Sequence, residues 1–590
     1  MSLPLKFIVS LSVAFLAFAC KSEREQSSTG QLDISVMLAG NRDTMSDLSR
    51  SQLLHRLRQT RFDVLVIGGG ATGSSAALDA ATRGLKVALV EGDDFSSGTS
   101  SRSTKLVHGG VRYLERAIKH LDLNEFELVR DALRERKRFL KNAPHLTHPL
   151  PILTPVYSWF DAAYYWIGLK FYDLMAGRAS IKASEFLTSK KALSRFPMLK
   201  AEGLKGGVLY YDGQFDDARM NVTLILSALR EGAVAANYLK VQGLIKEDKR
   251  VRGVLVKDVL SQKVWPIYAR VVINATGVFA DSIRKMDDPT IENIMVPSQG
   301  SHIVLPASFS SPVNGLIIPK TSDGRVLFLL PWLGKTLAGT TDHEGEITES
   351  PKASDDEVEY ILRHIRNYID IGLKRSQVLA TFSGLRPLAR LKKEIKDTAA
   401  ASRDQLIETS PSSLITIVGG KWTTYRKMAQ DVIDRAVAIG ELLPKAESQT
   451  KDLKLVGAAY YKGSLIDELV TYEKLDRDIA HHLATSYGDR VDAVIGLHGR
   501  AYRSRLIEGF PFVEAEVIYA AQYEYAVHAI DVIARRMRLA FLDNEAAKRA
   551  LPRVVMLMGQ KHGWSRERMR EEISLGNRFL DTMMTKPHPK

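Results

Sequence analysis

Apolar positions along this chain change period from one region to the next. Phe62-Asp63-Val64-Leu65-Val66-Ile67 is a short β-branched run that breaks off in glycines, which predicts a buried parallel strand. The stretch from Thr72 to about Arg83 reads as a helix packed on that strand, and Lys86 to Val90 as a second strand. A third run, Val271-Val272-Ile273, again ends in Asn-Ala-Thr-Gly. Ser301 to Leu305 and Val326 to Pro331 have the look of antiparallel strands. From about Lys451 the pattern turns helical, and Ile518, Ala521, Tyr525, Ala529 and Val532 recur as one core-facing stripe. Parallel strands first, antiparallel strands midway and helices last predict an α/β chain, α+β overall.

The N-terminal sixty residues follow different rules. Phe7 to Ala19 is an apolar run too short to span a bilayer but suited to an export signal. Its ending, Leu16-Ala17-Phe18-Ala19-Cys20, resembles a bacterial lipoprotein cleavage site, with Ala17 where such sites prefer Leu. A translation start at Met45 is the alternative. After this segment no 18 consecutive residues are apolar, so any contact with a membrane is expected to be peripheral.

Composition narrows the chemistry. The chain has 590 residues, 45% apolar and 25% charged, which excludes disorder and predicts two to four domains. Cys20 is its single cysteine, so no disulfide framework and no cysteine-based metal site is expected. Lys plus Arg number 82 against 68 Asp plus Glu, a formal charge of +14 that favours anionic partners. These cations are spread along the chain and do not form a run with interleaved aromatics, which argues against nucleic acid.

The first strand runs into Gly68-Gly69-Gly70-Ala71-Thr72-Gly73, a G-x-G-x-x-G in the context its chemistry requires. Gly68 permits the tight turn, Gly70 lets the backbone approach a pyrophosphate, and Gly73 lets the following helix lie close on the strand. Glu91, at the end of the second strand, stands where a carboxylate holds a ribose hydroxyl and argues against a 2′-phosphate. The second strand-to-glycine element, closing at Gly277 and followed by Asp281, resembles the distal Ala-Thr-Gly motif of two-dinucleotide-binding flavoproteins, which implies FAD. No second complete glycine fingerprint occurs, so a separate nicotinamide domain is not expected.

GTSSRSTKLVHGGVRYLE from Gly98 resembles FAD-dependent glycerol-3-phosphate dehydrogenases, close to the mitochondrial type. PHLTHPLPILTPVY, YYDGQFDDARMN, INATG, SHIVLP, LFLLPW, GTTD, SGLRPL, GGKWTTYR and RRMRLAFLD match that family in order, from about Arg61 to Leu580. The resemblance implies a two-dinucleotide-binding FAD fold with an antiparallel-sheet substrate domain and a C-terminal helical domain. The expected division is an N-terminal extension over 1–60, an FAD-binding domain within 61–450, and helices over 451–590. The FAD pieces fall at about 61–143, 210–288 and 380–438, with substrate-domain pieces at about 144–209 and 289–379 between them. Eukaryotic relatives carry calcium-binding EF-hands; no such loop motif occurs here, so calcium regulation is not expected.

A phosphate dianion calls for planar arginine donors, and Arg112, Arg386 and Arg403 lie in matching segments, with Tyr113 beside the first. The ARLKKEIKDTAAAS segment before Arg403 is more basic than the family's usual one. Oxidation of a secondary alcohol requires a base, for which His302 leads and His108 follows. Lys421, between Gly420 and Thr424, is expected beside the flavin's pyrimidine edge or the substrate. Thr99, Ser100, Ser101, Ser103 and Lys105 offer donors for non-covalently bound FAD. No metal site is expected.

Tyr157, Trp159, Phe160, Tyr164, Tyr165, Trp166, Phe171 and Tyr172 gather beside Lys170 and Arg178, as either a membrane interface with a quinone route or an aromatic core. The resulting expectation is a peripheral enzyme at the cytoplasmic face of the inner membrane, oxidising sn-glycerol 3-phosphate to dihydroxyacetone phosphate and passing electrons to quinone. An anionic membrane surface and a homodimer are among its expected partners. The alternatives are an oxygen-using glycerol-3-phosphate oxidase, an amine or amino-acid oxidase of the same superfamily, and a binding protein with a vestigial flavin fold.

Overall fold

A computed structural model describes residues 48–110, 123–319, 321, 324–390, 405–496 and 500–584. Its first sheet is built on the predicted run. Phe62–Ile67 is a buried central strand, parallel to Val87–Val90 on one side and to Val264–Asn274 on the other. Val234–Ala236 extends the sheet beyond Val87–Val90, and Ile415–Gly419 extends it beyond Val264–Asn274, both in parallel. Gln405–Thr409 closes that edge antiparallel, and the hairpin Leu239–Glu247 with Arg250–Asp258 rides on the start of Val264–Asn274. A parallel sheet buried on both faces requires the continuous apolar runs the sequence carries.

Registry decides where the ligand site falls. Ile67 pairs with both Val90 and Asn274, so the chain leaves three neighbouring strands at one level, into the Gly68, Glu91 and Gly277 turns. The crevice at the carboxyl ends of such strands is where open α/β sheets bind ligands. The helix Ala71–Thr82, buried along nearly its whole length, is packed between Asp217–Arg230 and Tyr425–Gly440. Arg50–Gln59, started by a capping box at Ser49, adds Leu53, Leu54 and Leu57 to the same core.

The second sheet is mainly antiparallel. Ser298–Pro306 lies between Lys335–Gly339 and Ala380–Arg386, and Leu327–Trp332, Gly315–Ile318, Thr147–Val156, Gly206–Phe215 and Leu106–Val107 continue the order outward. Gly315–Ile318 on Thr147–Val156 is a parallel step. The boundaries expected at 210 and 380 thus fall in strands of this second sheet, because both strands pair within it.

The segment after 451 is helical, but the stripe from Ile518 to Val532 is not one helix. Glu514–Tyr523 ends, Tyr525 takes a left-handed φ of 57°, and the chain resumes as a π-helix over Asp531–Arg536. The backbone amides of Val527 and His528 bond Asp531 in the break, while Ile518, Tyr525, Ala529 and Val532 remain buried. Four of the five stripe positions are core and Ala521 is half-buried, but the helical period that joins them is broken.

Candidate active site

The glycine turn has no room for side chains. Gly68 sits at φ +105°, and a Cβ there would lie 2.7 Å from the Ala275 carbonyl oxygen. On Gly73 it would overlap the carbonyl oxygen of Gly68. Gly70 starts the helix without a side chain of its own to cap it, so the first-turn amides beyond Ala71, whose amide Ser100 takes, are left for a pyrophosphate. Asn221 steadies the turn by donating to the Gly69 carbonyl at 2.7 Å. Glu91 accepts from the Gly69 amide at 2.6 Å and from the Asp93 amide at 3.0 Å, and burial pushes its carboxyl up to about 7. Gly277 turns the third strand away at φ 59°. A cradle in which Gly68 and Gly73 admit no Cβ, with a carboxylate at its far end, fits a dinucleotide such as FAD.

One loop joins this cradle to the second sheet. Ser100 Oγ accepts from the Ala71 amide at 2.9 Å, and Thr99 Oγ1 donates to the Leu385 carbonyl at 2.6 Å. Ser101 Oγ donates to the Gly98 carbonyl at 3.2 Å. Ser103 gives both its amide and its hydroxyl to Asp217, at 2.9 and 2.8 Å. Lys105 turns inward: its ammonium reaches Asp217 at 2.7 Å and the carbonyls of Ser101 and Ser103 at 3.0 Å. Burial, opposed by Asp217 and reinforced by Arg538, brings Lys105 down to about 8. The side chains of Thr99, Ser103 and Lys105 therefore hold the loop to the protein.

His302 stands on Ser298–Pro306 opposite Gly339 and Phe382. Its ring stacks on Phe382 with centroids 4.9 Å apart, and its Nε2 lies 3.0 Å from Thr104 Oγ1. Burial, then Lys105 and Arg386, push its pKa well below the ordinary 6.5, so the imidazole is neutral. Arg386, at the end of Ala380–Arg386, donates to Asp342 at 2.9 Å, Ser298 Oγ at 3.2 Å, Thr340 Oγ1 at 3.2 Å and the Thr341 carbonyl at 3.1 Å.

A third segment closes on these two. Gly419 and Gly420, both at positive φ, deliver Lys421 to the start of the turn Trp422–Thr424. Trp422 Nε1 donates to the Ser100 carbonyl at 3.0 Å and Thr423 Oγ1 to the His108 carbonyl at 3.1 Å, while Thr424 Oγ1 bonds the Lys421 carbonyl at 3.3 Å. The Ser100, His108 and Lys421 segments thus meet. Arg112, Tyr113 and Arg403 lie outside the described residues.

Sequence reasoning passed over Thr104, Asp217 and Arg538. Arg538 reaches back from the C-terminal helices to the Ser101 carbonyl at 2.7 Å and to Asp217 at 3.1 Å. Their signal was present in the quoted segments RSTKL, QFDDARMN and RRMRLAFLD, but nothing local marks them as partners.

Residues 63–421 match the family model described as FAD dependent oxidoreductase, and residues 448–569 match the C-terminal domain of alpha-glycerophosphate oxidase. The chain is 48% identical over 547 residues to the mitochondrial glycerol-3-phosphate dehydrogenase of Mus musculus, covering 90% of this chain and 75% of that one. It is 46% identical over 553 residues to the mitochondrial glycerol-3-phosphate dehydrogenase of Arabidopsis thaliana, covering 90% and 88%. The solved structure of the glycerol-3-phosphate dehydrogenase of Bacillus halodurans, complexed with FAD, aligns with a TM-score of 0.75 at 29% identity, over 92% of this chain and 99% of that chain. With a cradle shaped for a dinucleotide and relatives matching nine-tenths of its length, the chain belongs to the family of FAD-dependent glycerol-3-phosphate dehydrogenases.

Proposed function

We propose that this chain oxidises the secondary hydroxyl of sn-glycerol 3-phosphate, giving dihydroxyacetone phosphate, with quinone as the final electron acceptor. The observation that carries the reading is the loop from Thr99 to Thr104. It bonds the dinucleotide cradle through Ser100, the strand that ends in Arg386 through Thr99, and His302 through Thr104. A cofactor and a substrate laid along that loop share one wall.

FAD supplies the hydride-accepting ring when bound. The chain's own groups do the rest: Arg386, drawn from its present partner Asp342, offers the substrate phosphate a planar guanidinium, and neutral His302 stands ready to receive the hydroxyl proton. His108 is the alternative base. Lys421 sets a positive charge near the flavin, where it favours negative charge arriving on the ring. The first sheet serves as the flavin half, the second sheet as the substrate half, and the helices after 451 as a buttress.

The helix Trp159–Ala176 supports peripheral membrane binding. Trp159, Phe160, Ile167 and Leu174 are 65%, 80%, 63% and 74% exposed, while Leu169 and Tyr172 face inward. Phe160, Tyr164, Ile167, Phe171 and Leu174 fall on one side at alternating spacings of four and three, a stripe suited to lying in the interface plane of a bilayer. Among the described residues no helix is long and apolar enough to cross a membrane.

The test is an anaerobic visible spectrum of the purified protein. Bleaching of the flavin band by sn-glycerol 3-phosphate and its recovery with a quinone analogue are expected. Recovery with oxygen at an equal or faster rate would favour an oxidase, and no bleaching would discard the substrate.

A further inference from the structure

His302 is badly placed to touch a substrate. It is 3% exposed, Phe382 covers one ring face, and the backbone of Gly339 presses on its Cδ2 edge so closely that a Cβ there would overlap the ring. Its Nδ1 is buried without a hydrogen-bond partner among the described residues, and its Nε2 bonds Thr104. Thr104 itself is half-buried, on the more open side of that bond.

The loop holding Thr104 is fixed on both flanks. Ser103 is tied to Asp217 through two donors, and Lys105, at a left-handed φ of 64°, sends its ammonium back to the carbonyls of Ser101 and Ser103. Arg538 clamps the Ser101 carbonyl from outside the loop. Between two anchored neighbours, the Thr104 hydroxyl needs only to rotate its own hydrogen.

We infer that Thr104 relays the substrate proton: its Oγ takes the proton from the substrate hydroxyl as its own proton passes to His302 Nε2. The inference rests on His302 being the base, as read above. The step balances. The substrate O–H and the original Thr104 O–H break, new bonds form at Thr104 Oγ and at Nε2, and the hydrogen on the substrate carbon departs as hydride to the flavin. Thr104 ends neutral and His302 carries the proton, which returns through Thr104 once product has left.

The charges around the ring make the transfer depend on substrate. Lys105, paired with Asp217, and Arg386, paired with Asp342, are the cations that disfavour an imidazolium at His302. A phosphate dianion seated on Arg386 offsets one of them, so His302 becomes a better acceptor when the substrate is bound.

Thr104→Val, Thr104→Ser and His302→Asn, each in the full flavin-loaded chain, provide the test. Thr104→Val is expected to slow anaerobic flavin reduction by about 100-fold or more with little change in apparent substrate affinity, while Thr104→Ser stays within a few-fold of the parent. A second readout needs no turnover: the 15N resonance of His302 Nε2 should lose its hydrogen-bond displacement in Thr104→Val and regain it in Thr104→Ser. Parent-like reduction by Thr104→Val alongside a slow His302→Asn would overturn the relay and leave the base in place. A fast His302→Asn would remove the base and the relay with it. Equal slowing by Val and Ser, with flavin lost from both, would assign Thr104 a structural role and overturn the relay.

Discussion

Arg386 already has a carboxylate beside it in Asp342, so a substrate phosphate must draw the guanidinium away from a single charge by offering two. Arg386→Ala should raise KM for sn-glycerol 3-phosphate about 10- to 100-fold, the value of one lost charge-assisted hydrogen bond, and change that for glycerol far less. Equal effects on the two alcohols would remove the phosphate from this site. His145 gives a prediction in pH. Burial, with Arg219 and Lys454 nearby, lowers it to about 3, so the unfolded chain takes up a proton below about pH 6.5 that the fold refuses. Its stabilisation is therefore complete above pH 6.5 and is lost as pH falls towards 3. Denaturant titrations of the parent and of His145→Gln should differ in slope with pH across that window. What could be read residue by residue was whatever chemistry is local: Gly68, Gly70, Gly73 and Glu91 declare themselves within one strand–turn–helix–strand unit. Asp217 does not, because its partners Lys105 and Arg538 lie 112 and 321 residues away in the chain.

The glycine helix and the aromatic helix make opposite demands on their elements. Ala71–Thr82 must approach the Phe62–Ile67 strand so closely that Gly73→Ala is expected to yield a folded but colourless protein, measured as flavin per chain. Trp159–Ala176 must instead keep its apolar side uncovered, and Phe160→Glu with Ile167→Glu should abolish sedimentation with anionic vesicles while leaving the anaerobic rate of flavin reduction unchanged. The π-helix Asp531–Arg536 serves a third purpose. Its Arg535 and Arg536 converge on buried Asp94 at 2.6 Å each, three residues beyond Glu91. Asp94→Asn leaves two buried cations short of a partner and should cost about 3–5 kcal/mol in denaturant unfolding. The sequence showed that this region was helical and apolar. It hid the break at Tyr525, since a left-handed tyrosine has no periodic signature, and it hid the π turn, whose arginines reach an aspartate more than 400 positions away in the chain.

Across the whole molecule the +14 charge adds a long-range attraction to anionic surfaces, so vesicle binding should weaken between low and physiological salt while flavin content stays constant. A chain starting at Leu48 keeps the capping box and the three leucines that seat Arg50–Gln59, and is expected to carry a full complement of flavin. The division into a parallel and an antiparallel sheet could be inferred from apolar runs alone. The piece boundaries could not, because Ala380–Arg386 and Gly206–Phe215 mix apolar, polar and glycine positions in a pattern that assigns them to neither sheet, and only their pairing partners decide.

The bond from Arg538 to Ser101 spans 437 positions of chain. At ribosomal speeds of about 5–20 residues per second, roughly 20–90 s separate the synthesis of its two ends. For much of that interval Asp94 waits for Arg535 and Arg536, and Asp217, once made and paired with Lys105, still waits for Arg538. Capture of the flavin is consequently a late event in the biogenesis of this enzyme, and nascent chains stalled before Arg535 should emerge from the ribosome without colour.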